Sequence, residues 1–469
     1  MYKVKMNNEI LFAQEGELLS DILMRNGKSV PHPCGGKGTC QKCKVFIDGR
    51  EELSCQYRVR GDVSVSFYLQ SEILCETGAN IKNGSTENMC LCLDIGTTTL
   101  ALALVSMDNG NVINVETATN PQGIFGADVM TRIDFCRKNG VEKLQSVLIE
   151  KINRMVEKIN VSMPLDMYIS ANVTMLHTFF GEDCTSIGVS PYTAKFLESR
   201  VEKGEKLGLK NVKNAISLPS IHSFMGADLV AGMNYTGLPS SGKYNLLVDL
   251  GTNAEIVLYS KDSAVCTSAA AGPCFEGANI SCGMSATDGA IYKFTRKNGQ
   301  IELCTINKKS PQGICGTGLV DVVAALLDDE IDDTGYMAED YKIYGNIVIN
   351  QADIRQFQLA KSAVFSAIIT LINLEKIGFE QVENLYISGG FSAKIDVEKA
   401  VKVGLLPHKL REKCVPINNS SLLGNVKFAY EKNDLNFYVK MAKYVDLSRD
   451  SAFSELFVEN MKFGGEESE

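Results

Sequence analysis

Nowhere do the 469 residues contain an uninterrupted apolar run long enough to cross a bilayer, which takes about 20 residues in a helix. The best stretch, residues 363–374, is broken by Ser366 and Thr370. The N-terminal MYKVKMNNEI lacks the apolar segment of a secretory signal. No G-x-x-x-x-G-K-[ST] loop is present, which excludes a P-loop phosphate cradle. Positive charge is in the minority, with 47 Lys and Arg against 56 Asp and Glu and a net charge of −9. That balance argues against nucleic acid as the main partner. The expectation is a cytoplasmic protein with no membrane or nucleic-acid role. Cysteine, by contrast, is plentiful. There are 15, an odd number, and without a secretion signal they are expected as thiols or ligands rather than a disulfide network.

Four of these cysteines, Cys34, Cys40, Cys43 and Cys55, share one glycine-rich loop, PHPCGGKGTCQKCKVFIDGREELSC, with gaps of five, two and eleven residues. A close C-x-x-C with a third cysteine before it and a fourth after it suits four thiolates on the two irons of a [2Fe–2S] cluster. The GGKG run keeps Cβ atoms away from a backbone that must wrap the cluster and aim N–H groups at its sulfurs. Zinc and a disulfide framework are the competing readings; structural zinc sites usually pair two C-x-x-C-like units, and one is present here. Lys37, Lys42, Lys44, Arg50, Arg58 and Arg60 surround the loop. They would favour the reduced cluster and dock an acidic donor, or they form a solvated basic face.

Residues 1–75 read as a small β-rich unit. YKVKM and EILFA alternate like a hairpin with Asn7-Asn8 at the turn, residues 17–25 form a short amphipathic helix, and KVFID and VSVSF are strands. This order resembles the β-grasp fold of plant-type and adrenodoxin-like ferredoxins. Residues 76–89 are polar and rich in Gly, Asn, Ser and Thr, as in a linker or an ordered surface loop. Beyond them LCLDIGTTTLALALV (91–105) is echoed by LLVDLGTNAEIVLY (246–259). Asp94 matches Asp249, Gly96 matches Gly251 and Thr97 matches Thr252. Such an echo predicts a duplicated α/β unit, with one lobe at 90–240 and the other at 241–469.

A strand followed by Asp-x-Gly-Thr and a second strand can bind phosphate. Its glycine permits close approach, its threonine adds a hydroxyl, and the turn's N–H groups form an anion nest. Gly96, Thr97 and Thr98 in one copy, and Gly251, Thr252 and Asn253 in the other, would then hold the β- and γ-phosphates of a nucleotide. Asp94 and Asp249 would position Mg²⁺ through its water shell. LYISGGF (385–391) ends a strand at Gly389-Gly390, where adenosine could lie on bare backbone. Gly316, in GICGTG, opens a helix whose N–H groups could face the nucleotide, or it packs that helix on the sheet. Asp228 is a candidate general base for the attacking water or a helix cap. Glu255 is expected to face solvent. Cys274, Cys282 and Cys315 are expected to be structural, and His177 to be a satisfied core histidine. Cys75, Cys90 and Cys92, around the linker, stay unassigned.

The two hairpins and the Gly-Gly strand, in this order, resemble the phosphate-1, phosphate-2 and adenosine motifs of the acetate and sugar kinase/heat-shock 70/actin (ASKHA) superfamily, two RNase H-like lobes around an ATP cleft. ISANVTMLHTFFG, IGVSPY, LPSIHSFMGADLVAGM, AAAGPCFEGANISCGM, GICGTGLVDVVAALL and ISGGFSAKID followed by GLLP resemble one group more closely: the reductive activators of corrinoid proteins, a [2Fe–2S] domain fused to an ASKHA ATPase. The resemblance implies ATP-dependent one-electron reduction of Co(II) to Co(I) on a corrinoid protein of a methyltransferase system. It also implies a [2Fe–2S] cluster, ATP and Mg²⁺, a low-potential electron donor, and a homodimer as one possible assembly. The alternatives are an ATP-gated activator of another low-potential enzyme and a nucleotide-sensing electron carrier without turnover. Because so few residues separate the ferredoxin unit from the first hairpin, the family's middle domain is expected to be missing.

Overall fold

A computed structural model describes residues 1–6, 9–26, 36, 38, 43–66, 88–297, 300–390 and 392–464. The expected Asn7-Asn8 turn, Cys34, Cys40, Lys37, Lys42, Cys75 and linker residues 76–87 lie outside them.

The N-terminal unit is built from β1 (Tyr2–Met6), β2 (Glu9–Ala13), α1 (Leu19–Arg25), β3 (Lys44–Ile47), β4 (Arg50–Leu53) and β5 (Val63–Ser66). Its sheet runs β2-β1-β5-β3-β4, with β1 and β5 parallel and the other pairs antiparallel. The period-2 pattern of YKVKM turns Val4 and Met6 inward onto Leu19, Ile22 and Leu23 of α1. The helix starts two residues later than the sequence pattern predicts, because Leu18 is still extended.

A second sheet comprises β6 (Met89–Ile95), β7 (Thr99–Ser106), β8 (Val112–Thr119), β9 (Leu165–Ala171), β10 (Val201–Lys203) and β11 (Val212–Ser217), in the order β10-β11-β9-β6-β7-β8. Helices α2 (Val129–Asn139), α3 (Glu142–Ile159), α4 (Val173–Phe180) and α5 (Ala227–Thr236) connect and follow these strands. The third sheet comprises β12 (Tyr244–Leu250), β13 (Ala254–Tyr259), β14 (Ala264–Ala269), β20 (Val382–Ser388), β21 (Cys414–Pro416) and β22 (Ala442–Tyr444), in the order β21-β20-β12-β13-β14-β22. Between β14 and β20 lie the small sheet of β15 (Ala290–Lys297), β16 (Gln300–Thr305) and β17 (Gly313–Ile314), helix α6 (Gly316–Leu326), the hairpin β18 (Tyr341–Tyr344) and β19 (Ile347–Ile349), and helix α7 (Gln351–Glu375). The chain finishes with α8 (Val397–Lys402), α9 (Ser420–Glu431), α10 (Asn436–Met441) and α11 (Ser451–Glu459).

The sequence echo is an architectural duplication. In each large sheet three strands form an antiparallel meander, and the next strand joins the free edge of the first in parallel: β9 beside β6, and β20 beside β12. Helix α9 departs from this symmetry. Leu422, Val426 and Ala429 on it join the core of the β6–β11 sheet, although it follows β21 of the other sheet in sequence. Two helices, α5 and α9, therefore pack together at the junction of the two cores. Helix α7 is long and apolar enough to cross a membrane, but 78% of its apolar window is buried inside the structure, so it reads as a core helix.

Candidate functional site

Parallel pairing places a serine opposite each motif aspartate: Ser170 on β9 faces Asp94 on β6, and Ser388 on β20 faces Asp249 on β12. The N-terminus of α9, Asn418-Asn419-Ser420-Ser421, reaches both. Ser421 Oγ donates to Asp94 at 2.6 Å and lies 2.9 Å from Ser170 Oγ, while Ser420 Oγ and Ser388 Oγ share a 2.7 Å hydrogen bond. Asn419 Nδ2 adds a second donor to Asp94 at 2.7 Å, and its Oδ1 caps the helix at Leu422 N–H. This junction was not anticipated from the sequence. A cap signal was legible in Asn-x-x, but nothing local says that the capped helix touches two sheets.

The two turns are closed alike, Gly96 N–H donating to Thr99 O and Gly251 N–H to Asn253 O. Around the first turn the protein is crowded. Arg132, 1% exposed, donates to the carbonyls of Gly126 and Thr97, Asn120 Nδ2 donates to Gly96 O, and Asn172 Nδ2 donates to Thr97 Oγ1. Burial pulls the Arg132 guanidinium down to about 10, still charged at neutral pH. The second turn is more open, and Asn253 is exposed. One residue joins the two: Glu276 accepts from Thr98 Oγ1 at 2.9 Å and from Thr252 N–H at 3.0 Å.

Carboxylates gather beneath the turns. Burial, then repulsion from Asp249, pushes Asp228 up to about 7; burial and Asp94 push Asp249 up to about 6; burial raises Asp94 against the pull of Ser421 and Asn419. Glu255 corrects the expectation of a solvent-facing side chain. It is half-buried, and burial together with Asp228 and Asp249 holds its carboxyl well above the usual range. It points inward because β13 alternates from Ala254 and pairs Glu255 directly opposite Asp249. Asp228 is not the cap of α5, whose N-cap is Gly226; its Oδ1 accepts from Leu229 N–H at 2.9 Å within the first turn. Among the described residues no three ligand side chains converge on one point for a metal ion.

The glycines differ. Gly389 has φ 107°, and a Cβ there would run into the Leu250 carbonyl, so it serves strand packing; beside Gly390 no atom of the described residues lies within 4 Å of a Cβ. At Gly316 a Cβ would overlap the Phe275 carbonyl, so this glycine seats α6 beneath the segment that carries Glu276. His177 is fully buried, with Nδ1 on Val173 O at 2.7 Å and Nε2 accepting from Lys195 N–H at 3.0 Å, the satisfied core histidine expected. Cys274 and Cys315 are buried, and burial pushes the Cys274 thiol up to about 12.

In the N-terminal unit the sulfurs of Cys43 and Cys55 converge at 3.2 Å, and burial raises the Cys43 thiol to about 11. Two thiols this close, buried, at the ends of β3 and β4, fit two ligands of one iron. Gln56, unnoticed in the sequence, ties the loop to them: Nε2 donates to Gly36 O at 2.7 Å and lies 3.6 Å from Cys55 Sγ. Of the flanking cations, Lys44 pairs with Glu51 at 2.7 Å and Arg58 donates to Gly16 O.

Comparison with known proteins agrees with this geometry. Over 98% of this chain and 98% of the relative, the sequence is 30% identical to the corrinoid activation enzyme RamQ of Eubacterium limosum. The chain belongs to the RACo family of corrinoid activators. Residues 4–77 match the 2Fe-2S iron-sulfur cluster binding domain, residues 89–241 the RACo middle region, and residues 243–469 the C-terminal domain of RACo, the ASKHA domain. The [Co(II) methylated amine-specific corrinoid protein] reductase of Methanosarcina barkeri is 28% identical over 76% of this chain and 72% of its own length. A solved reductive activator for corrinoid, iron-sulfur protein shares the fold, with TM-score 0.74 at 24% identity over 99% of this chain and 98% of that one. One expectation is overturned. The family's middle region is not missing; it is the β6–β11 sheet with its helices. What is shorter is the chain itself, since the RamQ alignment spans 587 positions against 469 residues here.

Proposed function

We propose that this chain is an ATP-dependent reductive activator that returns the cobalt of a corrinoid protein from Co(II) to Co(I) in a methyltransferase system. The observation that carries this reading is the meeting of two Asp-x-Gly-Thr hairpins, one from each sheet, at Glu276, in a chain that aligns end to end with a corrinoid activation enzyme. When bound, a [2Fe–2S] cluster supplies electrons one at a time; Cys34, Cys40, Cys43 and Cys55 would hold it. A low-potential donor would load it from outside. The unit at 1–75 would carry the cluster, 76–89 would link it, and the lobes at 90–240 and 241–469 would close on the nucleotide.

In that cleft Gly96 and Gly251 let phosphate approach the backbone, and Thr97, Thr98, Thr252 and Asn253 present N–H and hydroxyl donors to phosphate oxygens. Asp94 and Asp249 orient Mg²⁺ through its waters. Gly390 would give the adenosine bare backbone to lie on, and Gly316 sets the start of α6. Asp228, with its carboxyl raised to about 7, is matched to accept a proton from the attacking water near neutral pH. Hydrolysis would then swing the lobes about α5 and α9. To drive reduction, the two arrangements must bind the corrinoid protein with different affinity. A cytoplasmic location and a homodimer complete the reading.

The test is anaerobic. Cluster-loaded protein, a low-potential reductant, Mg²⁺–ATP and a Co(II) corrinoid protein are mixed, and Co(I) absorbance is followed. Co(I) should form with ATP and not without it. Equal formation with and without ATP would remove the nucleotide from the mechanism.

A further inference from the structure

We propose that Glu276 is a positioning residue that ties the first hairpin to the second and must surrender both of its donors before a triphosphate can seat. This rests on the nucleotide reading above. The two groups it engages, the Thr98 hydroxyl and the Thr252 N–H, are those a phosphate oxygen would take. A carboxylate oxygen and a phosphate oxygen accept in the same way, and one donor cannot fully serve both. Glu276 is therefore an internal anion competing for the phosphate site.

Its backbone is held. Glu276 ends a short helical turn, Pro273–Glu276, in which Cys274 and Phe275 are each 2% exposed. The turn is closed by Gly277 N–H to Cys274 O at 3.0 Å and Ala278 N–H to Pro273 O at 3.1 Å. Beneath it, Gly316 lets the Phe275 carbonyl rest on the start of α6. The Thr252 contact lies within the lobe that carries Glu276, whereas the Thr98 contact crosses to the other lobe. The crossing contact is thus the one that parts when the lobes move. Charge acts on the same contact. Arg132 attracts Glu276 and Glu255 repels it, and incoming phosphates add negative charge that tips this balance toward release. Nucleotide entry and release of the first turn become one event, which links occupancy of the site to the relative position of the lobes.

The test uses cluster-loaded, full-length protein carrying Glu276→Gln, which keeps the shape and removes the charge. Affinity for Mg²⁺–ATP should rise by about five- to twentyfold, within the range of ordinary coupling between sites. Hydrogen exchange at residues 96–99, measured without nucleotide, should quicken. Glu276→Asp, one methylene too short to span both donors, should shift both readouts in the same direction and covers the case that the first variant folds poorly. Equal or weaker ATP binding by both variants, while wild type binds normally, would overturn the proposal and leave the nucleotide reading standing. If wild type binds no ATP, the nucleotide reading falls; quickened exchange would then uphold the tie between hairpins, and unchanged exchange would overturn it too.

Discussion

Asp94 and Asp249 end matching strands of matching sheets, each opposite a serine on the parallel neighbour. Asp94 is 8% exposed and receives Asn419 Nδ2 and Ser421 Oγ from α9. Asp249 is half-buried and has Ser388 as its stabilising hydroxyl, with its carboxyl at about 6. The difference arises from α9, which offers Asn419 and Ser421 to one aspartate and Ser420 to the serine beside the other. One motif, copied, thus acquires two environments. The first copy is stitched into the junction between the cores, and the second lies beside Asp228 and Glu255.

Swapping the burden of the two aspartates gives the largest expected effect. Asp94→Ala strands one buried and one half-buried donor, Ser421 and Asn419, and removes charge-assisted hydrogen bonds, each worth about 1.5–3 kcal/mol. Loss of roughly 2–4 kcal/mol of stability should follow, read as a lowered denaturation midpoint. Asp249→Asn should leave stability unchanged or improved, while ATP-dependent cobalt reduction falls at least about 100-fold, as expected when a group aligned on the reacting phosphate is removed. Full ATP-stimulated reduction by Asp249→Asn, or equal destabilisation by both variants, would erase the asymmetry.

How much of this was legible follows from where the information lies in the chain. The duplicated Asp-x-Gly-Thr and the apolar strands preceding each are local patterns, and they recovered the first two strands of each meander and their order; the third strands, β8 and β14, were not read. The core stripe of α7 was equally local: Ala360, Val364, Ile368 and Leu371 recur at helical spacing, and all are buried. Glu255 was misplaced because strand alternation alone does not tell which face meets the cleft. Arg132, Glu276 and the Asn418–Ser421 junction stayed hidden for a different reason. Their partners are distant in sequence, Glu276 lying 178 positions from Thr98 and Ser421 327 positions from Asp94, and composition carries no trace of such pairing.

pH offers a second way to sharpen the contrast. Asp228 and Asp249 have folded pKa values near 7 and near 6, above the unfolded carboxylate value of 3.8. Between those limits the folded protein binds more protons than the unfolded chain, so stability falls as pH rises from about 4 to about 7. Below that window their contribution is fully present; above it the ionised pair is a standing cost. Asp228→Asn should flatten this part of the stability–pH curve and gain most over wild type at pH 8, where Asp249 also loses its neighbouring charge. Mg²⁺–ATP should stabilise wild type more at pH 8 than at pH 5, because the cation meets ionised carboxylates there. Denaturation midpoints across pH 4–8 check all three, and a curve for Asp228→Asn parallel to wild type would remove Asp228 from the cluster's energetics.

The smallest expected effect concerns the glycines of the two turns, and its value lies in the opposite signs. A Cβ on Gly96 would fall 2.8 Å from the Thr99 carbonyl, the acceptor that closes the turn, so backbone must move. On Gly251 the nearest atoms would be Asn253 O at 3.5 Å and Glu276 Oε1 at 3.6 Å, ordinary contact distances. Gly96→Ala should therefore cost about 1–3 kcal/mol as overpacking. Gly251→Ala should be neutral or stabilising by about 0.4–1 kcal/mol, because alanine restricts the unfolded chain. Activity should separate from stability in the second variant: its methyl narrows the approach of phosphate to the turn, so affinity for Mg²⁺–ATP weakens while the denaturation midpoint holds. If both alanines destabilise equally, the second turn is as tightly braced as the first, and the division between an anchored copy and an open copy of the motif fails.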